Sequence, residues 1–525
     1  MSGFMMAVAL TGTTLLAGCS SSSSDAGATT ADGKSVLKVE VFDRGNSPAG
    51  STINSNYLTK LVNERFGAKN NIDVQYVPIP RSEELQKLNV LMASGGDVPD
   101  IVFTYDQGTF NRYAEQGGLT DVTDLLNQYG PELKKFLGED TLAYGQLEGK
   151  QFAIPGKRSV LGKYASYIRQ DWLDKLKMPM PQTTDELYTT LKAFKDKDPG
   201  GVGASVIPFG MTIAPAQYEP LIWSFIQQPL TDEQKYTLLQ KLGSRDYPVL
   251  LPGFKEGLQF MNKLYNEGLI SKDFSLDEDK KQLGQDIQNG KVGFYTEDAG
   301  NPYYAGGTYE NLQANDKNAV LTPTDVFTNN EGKHIKPEYA SNGLYIMIPK
   351  SSTKAVEAIK YLNWMASDKN LFDMQNGVEG ENYTLKDGIP VVKPDASEDV
   401  MNRIYNYGDM AIIANGKIVG TEEQNNEAYI MQMPEKYQKD MAKSVDISNT
   451  DTFPPVNFSV PIEAEAKYGS ALQDKFDQLV VKATMVAPDQ FDATYDSLVK
   501  DYMSSGGQAI LDERTKVFQE GKVAK

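Results

Sequence analysis

One cysteine and one histidine occur in this 525-residue chain, Cys19 and His334. A single cysteine cannot pair within the chain, which excludes a disulfide framework and CxxC redox or zinc pairs; a single imidazole excludes HExxH zinc sites. Only that one imidazole remains for a Ser/His/Asp triad, and it sits in the polar, turn-like "NNEGKHIKPEY", where a solvated loop residue is the ordinary reading. Positive charge is scarce too. Lys and Arg number 52 against 70 Asp and Glu, a net charge of −18, so nucleic acid and anionic lipid head groups are not expected partners, because both require a basic surface. No segment reaches the roughly 18 unbroken apolar residues that span a membrane. Carboxylates are the only plentiful catalytic groups.

The lone thiol lies in "LLAGCSSSSS". Before it runs "FMMAVALTGTTLLAG", too short and too rich in Gly and Thr for a membrane span but suited to a signal-peptide core. After it comes "SSSSSDAGATTADGK", a polar tether that cannot form core. Leu16-Ala17-Gly18-Cys19 resembles the lipobox of bacterial lipoproteins, which implies a signal peptide at 1–18, acylation of Cys19 and a lipid-anchored tether at 19–35. The alternative is a buried free cysteine. No Lys or Arg precedes Cys19, where a signal peptide carries a basic start, so the natural start is expected a little upstream.

With 40% hydrophobic and 10% aromatic residues the chain can bury at least two cores. "SVLKVEVFD" reads as a strand; a helix with Ser55 as N-cap follows to Gly67, then the strand "IDVQYVPIP", a helix capped by Ser82, and the strand "DIVFTYDQG". Alternating strands and helices predict an α/β fold, a mostly parallel sheet with helices on both faces, which binds ligands at the carboxyl ends of its strands. Asp43 and Arg44 follow the first strand and Tyr105, Asp106 and Gln107 the third. Ordinary polar loop residues are the competing reading. A second block repeats the pattern. There Glu297 and Asp298 close the strand in "NGKVGFYTEDAG".

The order "MASGGDVPDIVF", "EGKQFAIP", "RQDWLDKLKMPMPQTTDELYTTLKAFKDKDP", "NGKVGFYTEDAG", "NGLYIMIP" is similar to family 1 extracellular solute-binding proteins of ABC importers, relatives of maltose-binding protein. "NGVEGENYTLKDG" resembles the large lipoprotein branch, some of whose members bind oligosaccharides. The resemblance implies a two-lobe, type II periplasmic-binding-protein-like fold with a hinge between the lobes. Crossings fall near "FAIPGKRSV" and "KPEYASNG", placing lobe 1 at 36–156 and 340–400 and lobe 2 at 157–339 and 401–525. Arg158 and Asn342 would then lie by the hinge. Sugar-binding relatives stack aromatic rings on pyranose faces; Tyr218 and Trp223 are the first aromatic candidates and Tyr303 and Tyr304 the second, while core packing is the rival reading for Trp223.

Some relatives carry an EF-hand-like calcium loop where this chain has "DKDPGGVGASVIP", with Gly200 and Val202 in place of oxygen ligands, so no metal and no cofactor is expected. The function implied is a non-enzymatic, monomeric receptor on the outer face of the bacterial cell membrane, held there by its lipid alone. It would pass a carbohydrate, in particular an oligosaccharide, to the membrane permease subunits. The alternatives are a surface glycoside hydrolase or polysaccharide lyase using paired carboxylates, or a solute sensor. Adjacent Glu297 and Asp298 point to opposite faces of a strand and cannot alone form the facing pair that hydrolysis needs.

Overall fold

The computed structural model describes residues 29–523 apart from 32, 95–97, 228, 243–244, 278, 326, 328–331, 333 and 394. Cys19 and the signal segment at 1–18 lie outside the described residues.

Two sheets organise the chain, one in each lobe. In the first, Ser35–Asp43 and Ile72–Pro80 run parallel in register from Ser35 opposite Ile72 to Asp43 opposite Pro80. Ile101 bridges Val39 and leads into Val102–Thr104; Asn342–Met347 then lies antiparallel between that strand and Ala153–Arg158, and the short Ala414–Asn415 closes the edge. The apolar periodicity read from the sequence places Leu37, Val39, Val41, Leu58, Val62 and Phe66 in one core. Two helix ends differ from expectation. Asn56, not Ser55, caps Tyr57–Val62 by accepting from the Thr59 N–H, and the helical path runs past Gly67 to Asn71, whose left-handed φ of 56° ends it.

In the second sheet Tyr164–Arg169 lies antiparallel between Leu321–Thr324 and Val292–Asp298, and Ile207–Gly210 joins Val292–Asp298 in parallel. Helices cover both faces. On one, Trp172 meets Phe194 edge to face at 5.1 Å, and a side chain on Gly293 would collide with both rings. On the other, Tyr167, Tyr295 and Tyr303 pack with Met441 and Val445 from Gln438–Asn449.

The lobes are joined at a hydrogen-bonded waist. Arg158 N–H donates to Ser341 O, Ser159 N–H to Asn415 O, and Tyr339 N–H to Leu161 O, so three chain segments meet there. The third follows Asn415. Lobe 1 was expected to end at 400, yet Ile404, Tyr407, Met410, Ile412, Ile413 and Ile418 pack in the same core as Leu37 and Val39. The apolar side chains of 404–418 hold that segment on the first lobe, and the chain leaves it only afterwards.

Candidate functional site

Two cavities of ≈ 470 Å³ and ≈ 380 Å³ open at the waist and share Tyr304, Asn415, Gly416, Lys417 and Gln432. Through these shared residues they form one cleft between the lobes.

The larger chamber is built on carboxyl ends of first-lobe strands, where a parallel sheet leaves its loops open to ligand. Phe42 and Tyr105 stack there at 6.0 Å with planes 9° apart, and the Arg81 guanidinium sits 4.9 Å from both centroids. Arg44 grips Asp409 with two of its three guanidinium nitrogens, Nη2 donating to Oδ1 at 2.8 Å and Nε to Oδ2, in the bidentate geometry that suits a planar guanidinium. The contact with Asp409 raises the guanidinium pKa. From the second lobe comes Tyr304, 42% exposed.

The smaller chamber centres on Arg158, Asp298 and Tyr339. The Arg158 guanidinium lies 4.3 Å from the Tyr339 ring centroid, and the Tyr339 hydroxyl donates to Asp298 Oδ1 at 3.1 Å. Burial raises the Tyr339 and Asp298 pKa values, the carboxylate of Asp298 adding to the first and that of Glu297 to the second. Burial lowers that of Arg158, whose Nε is buried with no hydrogen-bond partner. Lys163, on the same wall, pairs with the buried Asp246. Lys417 is brought in by Gly416, whose φ of 94° turns the chain where a side chain would meet Ser159. Gly343 likewise leaves room for the Asn415 side chain against the central strand.

Of the residues singled out in the sequence, Arg44, Tyr105, Arg158 and Asp298 line this cleft. Asp43 accepts from the Gly45 N–H at 2.8 Å and shapes the turn; Asp106 caps Gln107–Glu115 by accepting from Thr109 N–H at 2.7 Å. Gln107 donates to Asn457 at 3.4 Å beside a separate small cavity. Asn342 is buried at the start of its strand, opposite Lys157.

The first aromatic pair is in the core. Tyr218 and Trp223 are 1% and 2% exposed, and Trp223 meets Phe453 edge to face at 5.4 Å, because Pro215–Trp223 is buried on all sides. Neither ring presents a face to the cleft. Tyr303 is also buried, whereas its neighbour Tyr304 lines both chambers. Glu297 faces the interior, taking Lys280 at 3.0 Å and the Gln217 amide at 2.9 Å. Sequence reasoning did not single out Tyr339, Asp409, Asn415 and Lys417. Tyr339 lies within the segment read as a crossing, and the Asn-Gly step in "IIANGKIVG" is a turn signal that marks where Lys417 enters.

Among the described residues no helix is long and apolar enough to cross a membrane, and no group of three or more His, Cys, Asp or Glu side chains is arranged to hold a metal. In the loop "DKDPGGVGASVIP" the Asp198 carboxylate accepts from Val202 N–H at 3.0 Å and Gly203 N–H at 2.7 Å.

The chain is 24% identical over 525 residues to lipoprotein LipO of Bacillus subtilis (strain 168), covering 97% of each. It is 31% identical over 229 residues to the fructooligosaccharide ABC transporter substrate-binding protein FusA of Streptococcus pneumoniae serotype 4, covering 41% of this chain and 42% of FusA. Its fold matches the crystal structure of alginate-binding protein AlgQ2 without calcium ion, with a TM-score of 0.67, 22% identity and coverage of 92% and 98% of the two chains. The family model described as bacterial extracellular solute-binding protein matches residues 49–371. With its two lobes, waist and cleft, the chain belongs to that family of extracellular solute-binding proteins.

Proposed function

We propose that this protein is the lipid-anchored receptor of an ABC importer, a monomer that captures an oligosaccharide between its lobes and presents it to the membrane permease. The carrying observation is the chemistry of the cleft. A sugar has apolar C–H faces and a polar edge, and here the exposed ring of Tyr304 stands among the amides of Gln375, Asn415 and Gln432. Each chamber falls in the range of about 300–1,000 Å³ typical of small-molecule sites, and two adjoining chambers suit a chain of sugars better than one ring. The name of FusA, a fructooligosaccharide substrate-binding protein of an ABC transporter, supports the same role here. The name lipoprotein for LipO supports the anchor at Cys19.

Capture without chemistry is favoured over hydrolysis. Glu297 is bound by Lys280 and Gln217, Asp409 by Arg44, and Asp298 by Tyr339, so the carboxylates named here already have partners. A thermal-shift screen against oligosaccharides tests the proposal, since a ligand at 100 times its dissociation constant adds about 2.7 kcal/mol of stability. A panel of fructo-, gluco- and uronate oligosaccharides with no member raising the melting temperature contradicts it. For the anchor, Cys19→Ser is expected to move the protein from the membrane fraction to the medium; equal retention of both forms contradicts lipidation.

A further inference from the structure

The cleft carries a charge opposite to that of the molecule. The chain has a net charge of −18, yet the charged side chains lining the two chambers are Arg44, Arg158, Lys163 and Lys417 against Asp298 and Asp409. At physiological ionic strength screening acts over about 8 Å, so a ligand in the cleft responds to these groups rather than to the distant acidic surface.

Pairing within the protein accounts for part of this set. Arg44 is held by Asp409 and Lys163 by Asp246, and Asp298 accepts from Tyr339. Arg158 makes no ion pair among the described residues: one face of its guanidinium is covered by Tyr339, its Nε is buried without a hydrogen-bond partner, and the group lines the smaller chamber. A partly buried cation without an ion pair is costly, and burial lowers the Arg158 pKa accordingly. Lys417 lines both chambers beside it, and burial pushes its pKa down to about 8. The two cations are also neighbours in the fold. Arg158 pairs in register with Asn415, and Lys417 follows two residues later on the same segment.

Resting on the carbohydrate-binding role proposed above, we infer that the cleft selects an acidic oligosaccharide, and that the Arg158 guanidinium and Lys417 ammonium hold a carboxylate carried on one of its sugar rings. A planar guanidinium matches a carboxylate through two parallel N–H bonds, and the ammonium adds a compact charge beside it. A neutral sugar would cover Arg158 without supplying the anion it lacks. The exposed ring of Tyr304 remains for the rest of the chain of rings.

The test is calorimetric titration of the full protein with a panel of uronate trimers, made of galacturonate, mannuronate or glucuronate, each beside its carboxyl-reduced neutral counterpart. At least one uronate trimer is expected to bind tenfold or more tightly than its reduced form, with an affinity that falls as salt rises from 50 to 500 mM. Arg158→Gln and Lys417→Gln are each expected to erase most of that preference; the second keeps the test decisive if the first unfolds. A reduced trimer that binds as tightly as its acid, or a preference untouched in both folded variants, overturns the inference. Binding of neutral fructo- or gluco-oligosaccharides with no uronate binding overturns it while leaving the carbohydrate role standing. Binding of no carbohydrate at all overturns both.

Discussion

Tyr339 and Asp298 join a waist segment to the end of a second-lobe strand, the phenol donating to the carboxylate Oδ1 at 3.1 Å. The same ring supports Arg158 on its face. Tyr339→Phe removes only the hydroxyl, and its expected cost is about 1 kcal/mol of stability with the Arg158 platform intact. Tyr339→Leu removes the platform as well and is expected to weaken ligand binding at least tenfold. Titration calorimetry with thermal melts separates the two; equal affinity in folded Tyr339→Leu contradicts the assignment.

The two aromatic candidates should part company. Tyr304→Ala changes an exposed ring and is expected to weaken oligosaccharide binding by about 1–3 kcal/mol with little change in stability. Trp223→Ala opens the second-lobe core and is expected to cost about 3–5 kcal/mol of stability. A Tyr304→Ala variant with unchanged affinity removes that ring from the site.

Glu40 is a carboxyl buried in the first-lobe sheet, and burial assisted by Glu84 pushes its pKa up from 4.5 to about 8 against a backbone hydrogen bond from Phe103. A raised folded-state pKa gives stability that is full below pH 4.5 and is lost as pH rises through 8, because the folded form holds the proton longer. Glu40→Gln stays neutral throughout. It is expected to match the natural protein near pH 4.5 and to exceed it at pH 8 by an amount on the order of a few kcal/mol. Parallel pH profiles in urea unfolding contradict this.

The loop from Asp198 is closed by its own backbone: the carboxylate accepts from Val202 and Gly203. Equal melting temperatures in excess calcium and excess chelator are therefore expected, and Asp198→Ala is expected to cost about 1 kcal/mol or somewhat more. Calcium raising the melting temperature by several degrees contradicts this account.

Legibility of the sequence followed periodicity. Strands such as Ser35–Asp43 and Val292–Asp298 and helices such as Phe254–Asn266 show their apolar pattern locally, and strand-end residues such as Arg44, Tyr105 and Asp298 reach the cleft because fold topology puts strand ends there. Helix Pro215–Trp223 is buried from Ala216 onward, its polar Gln217 and Glu219 included, so nothing local separates a core ring from a cleft ring; the contact of Trp223 with Phe453 comes from a segment 230 residues away. The third waist segment was hidden for the converse reason. Its strand is only Ala414–Asn415, too short for any period, and its position depends on pairing with Arg158. Asp106 illustrates a third limit, since a carboxylate at a strand end and one at a helix start occupy the same place in sequence, and here the Thr109 N–H takes it.

The most direct test of the central claim, capture without consumption, is titration of the purified protein with the oligosaccharide that most raises its melting temperature, followed by chromatography of the same mixture after prolonged incubation. The account predicts saturable binding of one ligand per protein, loss of affinity in Tyr304→Ala, and recovery of the oligosaccharide intact. Shorter sugars or unsaturated products appearing in proportion to protein, and absent with Asp298→Asn, would contradict it and make the cleft an active site.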